Sequence, residues 1–180
     1  MNLLSKLKGG DLRSIGEAEE VVRQIGNNRK LFNEVFQGIF DADPVIRMRS
    51  ADVVEKVSKK YSVLLEKHKN KILQNLINFN QQEVKWHIAL IVSYLELTDT
   101  EAEKVFYELS KWMVNDKSRI VRVNSMQSLA DISKKNNNIK DRTIALIKEQ
   151  IKTGIPSVIS RGEKILNQFK KEKKFGKSIT

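Results

Sequence analysis

The sequence predicts an all-helical fold made of repeated helix pairs, and three observations carry that prediction. Proline occurs only twice in 180 residues, while Leu, Ile, Val, Lys and Glu are prominent, a composition suited to helix interiors. A twelve-residue block recurs as IRMRSADVVEKV from Ile46, VKWHIALIVSYL from Val84, VRVNSMQSLADI from Val121 and VISRGEKILNQF from Val158, with starts 38, 37 and 37 residues apart. Within each block apolar or small residues fall at offsets 0, 4, 7, 8 and 11, the stripe that one face of a 3.6-residue helix presents.

In chain order, residues 11–26 (DLRSIGEAEEVVRQIG) form an extra amphipathic helix, as expected of a degenerate N-terminal cap. Four pairs follow, over 29–60, 64–97, 101–135 and 141–169. The first helix of each, within 29–40, 64–79, 101–114 and 142–151, supplies the face on which the striped helix packs, and its aromatics are core filling. Asp43 before Pro44 reads as an N-cap with proline at the first helical position, and Pro156 opens the last striped helix in the same way. Ser50, Ser125 and Gly162 place a small residue at offset 4, where neighbouring helices approach closely; Ile88 departs from this and implies a wider spacing in its copy. The lysine-rich tail, 170–180, lacks apolar periodicity and is expected to fray.

Helix pairs of this length, with the DADPVIR-type opening of the second helix, resemble the HEAT repeat over roughly residues 11–170. The resemblance implies a right-handed α-α superhelix, a solenoid of about four HEAT-like pairs plus the cap, forming one domain across 1–180. It also implies a ladder in which an aspartate six positions before an arginine pairs with it: Asp41 with Arg47, and Asp116 with Arg122. The pattern fails in the other copies, where Phe79 precedes Lys85 and Thr153 precedes Ile159. HEAT arrays are mostly binding scaffolds that use their second helices, and some HEAT-like proteins are glycosylases of alkylated DNA bases that use an aromatic, an aspartate and an arginine. Trp112, Asp116 and Arg122 are the residues here that could answer to that trio, although the ladder and the core stripe already account for them.

The formal net charge of +11 favours an acidic partner, either a protein or nucleic acid. There is no cysteine, which excludes disulfides and thiolate sites and fits a cytoplasmic protein. Two histidines are too few to build a zinc site by themselves, and no metal, cofactor or small-molecule substrate is expected. No stretch approaches membrane-spanning length, and phosphate-binding and hydrolase motifs are missing. His68, on a lysine-rich helix, reads as a surface residue.

The stripe also sorts the polar residues. Offsets 1 and 3 flank the core, whereas offsets 2, 6, 9 and 13 point away from it. Arg47, Lys85 and Arg122 share offset 1, the ladder position, and Arg49, His87, Asn124 and Arg161 share offset 3. Met48 and Trp86 stand at offset 2, with Leu90 one turn beyond Trp86. The expected binding surface is therefore Arg49, Trp86, His87, Leu90, Asn124 and Arg161, with Lys59 and Lys164 on its basic rim. Trp86 has two readings, as the anchor of that surface or as a residue packed on a neighbouring or terminal segment.

Overall fold

The computed structural model describes residues 2–12 and 14–176, with side chains as far as residue 172. Among the described residues the only regular structure is helical, with ten α-helices, short 3₁₀ segments and no strand. None of these helices is long and apolar enough to cross a membrane. The chain divides into two compact units, Met1–Glu96 and Leu97–Thr180.

In the first unit α1 (Leu3–Lys6), α2 (Ala18–Asn27) and α3 (Phe32–Gly38) precede the long α4 (Pro44–Lys60), which is followed by α5 (Lys69–Asn75) and α6 (Gln82–Ile91). Helix α4 is the hub, packing against α2, α3 and α6. The second unit contains α7 (Asp99–Asn115), α8 (Arg119–Lys135), α9 (Lys140–Ile151) and α10 (Pro156–Gly176), with α8 packed against all three others. The ends of these helices are written locally. The Asp43 carboxylate accepts from the Val45 N–H at 2.8 Å with Pro44 in the first turn, so an orphan donor is satisfied where proline supplies none. Thr98 and Glu101 form a reciprocal capping box on α7. Asn136 terminates α8 and donates to the Leu97 carbonyl and the Asp99 carboxylate, both at 3.1 Å.

The repeated stripe is the core. Every stripe position in the four copies is buried except Leu166, which is half-buried. The small residues at offset 4 mark close approach: a Cβ added at Gly162 would stand 2.7 Å from Ile151 Cγ1, and one added at Gly38 of α3 would collide with Ser50 Oγ of α4. In the second copy, where Ile88 occupies this position, α5 and α6 are the least extensively apposed of the four pairs.

Several expectations need correction. The helix expected over 11–26 is shorter, α2 running Ala18–Asn27, and a short α1 with Leu3 and Leu7 buried precedes it. The first helices of the 29–40 and 64–79 segments are interrupted by 3₁₀ turns at Arg29–Leu31, Ser62–His68 and Leu76–Asn78. Helix α10 continues to Gly176, so the tail is helical that far, and 177–180 lie outside the described residues. His68 is not a surface residue. It is 8% exposed, its ring stacks on Phe36 with centroids 3.8 Å apart, and its Nε2 lies 3.0 Å from Asn33 Oδ1. Burial, reinforced by Lys67 and Lys71, pushes its pKa down to about 4, so the imidazole is neutral in the fold.

Candidate functional site

Arg49 organises the first unit. It is 2% exposed, and its guanidinium donates to four backbone carbonyls: Leu7 at 3.0 Å, Lys8 at 3.1 Å, Ser14 at 3.0 Å and Asp11 at 3.5 Å. Its expected place on an outward surface is therefore corrected. The segment between α1 and α2 is irregular and has no ladder to satisfy its carbonyls, and the guanidinium fork, with five fixed donors and no acceptor, does so instead. Gly10 and Gly16 let the chain wrap this closely. Their φ values are +72° and +53°, and a Cβ at Gly16 would lie 2.6 Å from Arg49 Nη1. Met48, also expected to face outward, is 7% exposed beneath the same region.

The segment, α4 and α6 together bound a cleft of about 210 Å³. Leu12 and Ile15, both exposed, and the half-buried Trp86 form its apolar wall, while Asp52 and His87 form a polar one. Arg49, Met48, Trp86 and His87 thus do come together, but around a cleft that the N-terminal segment partly fills. Trp86 is half-buried and stands in this cleft beside the N-terminal segment.

Behind the polar wall lies a network that sequence reasoning missed. Lys56 Nζ reaches Glu19 Oε1 at 2.5 Å and Asp52 Oδ2 at 2.8 Å, joining α2 to α4. The Tyr94 hydroxyl donates to Glu55 Oε1 at 2.8 Å. His87 Nδ1 stands 4.0 Å from Asp52 Oδ1 and 3.9 Å from Glu55 Oε2. Burial alone would raise the Glu55 carboxyl, yet His87 and Tyr94 beside it hold its pKa below the usual value. Burial would likewise lower Lys56, but Asp52 and Glu19 outweigh this and raise it. The signal for this network was present: Asp52 and Glu55 occupy offsets 6 and 9, which point away from the core, and two carboxylates there lie one turn apart on a single face.

The other selected residues are distributed as follows. Arg47 does not pair with the Asp41 carboxylate. It donates to the Asp41 and Ala42 carbonyls, both at 2.9 Å, and to Gln81 Oε1 at 2.8 Å, while the Asp41 carboxylate accepts from the Asp43 N–H. Short turns draw that carboxylate into capping its own loop, so the link to the next helix passes through glutamine. Arg122 donates to the Met113 carbonyl and to Gln150 Oε1, both at 2.9 Å, and the Asp116 carboxylate accepts from the Ser118 N–H. Trp112 is buried in the core at 7% exposure. Leu90 is half-buried, and Lys59 and Lys164 are exposed. In the second unit the half-buried Asn124 lines a separate shallow pocket with Arg119, Ile120, Val123 and Ser157, and Arg161 Nη1 donates to Gln127 Oε1 at 2.9 Å. Compared with known proteins, the chain matches no family model, no curated protein and no solved structure.

Proposed function

We infer that the chain is a non-enzymatic scaffold of HEAT-like helix pairs that binds an acidic protein through its striped helices, and that the second unit carries the main contact surface. The observation behind this reading is a set of exposed cations in the second unit together with an open apolar pocket lined in part by one of them, Arg119. Lys117 and Arg119 at the start of α8, and Lys164, Lys170 and Lys171 on α10, are exposed and have no carboxylate partner among the described residues. Between α8 and the start of α10 lies the pocket with Ile120, itself 49% exposed, and Val123. Unpaired cations steer an acidic partner by long-range attraction, and apolar side chains among them supply the desolvated contact that holds it.

Nucleic acid is the alternative acidic partner, with the same cations neutralising phosphates. Fluorescence anisotropy with a labelled acidic peptide and with a random-sequence DNA duplex separates the two. The scaffold reading expects saturable binding of the peptide, weakened by raising salt from about 50 to 200 mM, and a weaker response to the duplex. Preference for the duplex establishes the alternative, and no binding of either at low salt overturns both.

A further inference from the structure

We propose that Asp52, Glu55 and His87 form a binding site for a single divalent transition-metal ion of the zinc type. One donor atom from each residue lies within 4.8 Å of the other two, and the three come from two helices, α4 and α6. Asp52 and Glu55 each have one oxygen engaged elsewhere, with Lys56 and with Tyr94, and present the other toward His87 Nδ1. At 4.0 and 3.9 Å those oxygens lie beyond hydrogen-bond reach of the imidazole nitrogen, so the donors surround a gap rather than bond across it. Bonds of about 2.0–2.2 Å to a tetrahedral ion place donors about 3.4 Å apart, so each carboxylate oxygen needs to approach His87 Nδ1 by only about half an ångström.

The chemistry of the donors selects the ion. One imidazole with two carboxylates suits zinc and its first-row neighbours, whereas calcium and magnesium favour oxygen alone. Lys56 and Tyr94 hold the carboxylates from behind, as outer partners do in metal sites. Asp52 and His87 also line the 210 Å³ cleft, which gives the ion a way in. Three protein ligands with an open position are the pattern of sites that hold a water or an exchangeable group.

The test is calorimetric titration of the untagged full chain with zinc, and visible spectroscopy with cobalt. The expected result is one ion per chain and a cobalt absorption band, with affinity about tenfold or more weaker in His87→Gln and in Glu55→Gln. Circular dichroism shows whether each variant folds. In the unaltered chain, nuclear magnetic resonance of the two histidines supplies a reading that needs no variant: zinc shifts the His87 ring signals and leaves those of buried His68 in place. Absence of saturable binding, unchanged affinity in folded variants, or a zinc response that spares His87 overturns the proposal.

Discussion

Arg49 shows how a single residue can hold a segment that has no regular structure of its own. Removing its side chain strands the buried Leu7 carbonyl and three part-buried ones, so Arg49→Ala is expected to cost about 3 kcal/mol. Arg49→Lys recovers little of this, because one ammonium cannot span the fork. Denaturant titration gives the magnitude, and limited proteolysis within residues 7–16 shows that the loss is local. His68 makes a second residue-scale prediction. The unfolded chain takes up a proton on this ring near pH 6.5, but the folded chain does so only near pH 4. Between those values the unfolded state binds more protons, so stability is full above pH 6.5 and falls as the pH drops toward 4, by about 3 kcal/mol in all. In His68→Leu the chemical-denaturation profile is flatter across that window. Neither role was legible in the sequence. The partners of Arg49 are backbone carbonyls of an irregular segment, and those of His68 lie more than thirty positions away at Phe36 and Asn33, so no periodicity could place them.

At the scale of the element, the stripe was legible because burial on a helix repeats with the helix itself, and α4, α6, α8 and α10 follow it. Their starts were legible where a cap is encoded, as at Asp43 and Pro44. The 3₁₀ breaks in the first helices were not, since a short amphipathic run reads alike in either helix type. The contact between α3 and α4 is tested by Gly38→Ala. The added methyl group meets Ser50 Oγ and Leu4, and should destabilise the first unit by about 1–3 kcal/mol. Ser50→Ala removes a buried hydroxyl that has no hydrogen-bond partner, so it should leave stability equal or higher. The double variant then recovers part of the Gly38→Ala loss. A double-mutant cycle from thermal unfolding measures that coupling, and strictly additive effects would mean that the two residues do not meet.

For the whole molecule, the charge of +11 was legible at once, but its distribution was not. In the first unit much of it is absorbed: Arg49 serves carbonyls, Arg47 a turn and Gln81, and Lys56 two carboxylates. In the second unit the cations at the start of α8 and along α10 remain open to solvent. The sequence placed the expected binding centre at Trp86, with Arg49 beside it, whereas the surface proposed above lies in the second unit, at the pocket with Arg119 and Ile120 and the exposed Lys164 of α10. The most direct measurement of that claim is the affinity for a labelled acidic peptide at low salt of the triple charge reversal Lys117→Glu, Arg119→Glu and Lys164→Glu, beside the unaltered chain. The account predicts a loss of binding of about tenfold or more, with the helical circular dichroism unchanged. Equal affinity in the folded triple variant would contradict it.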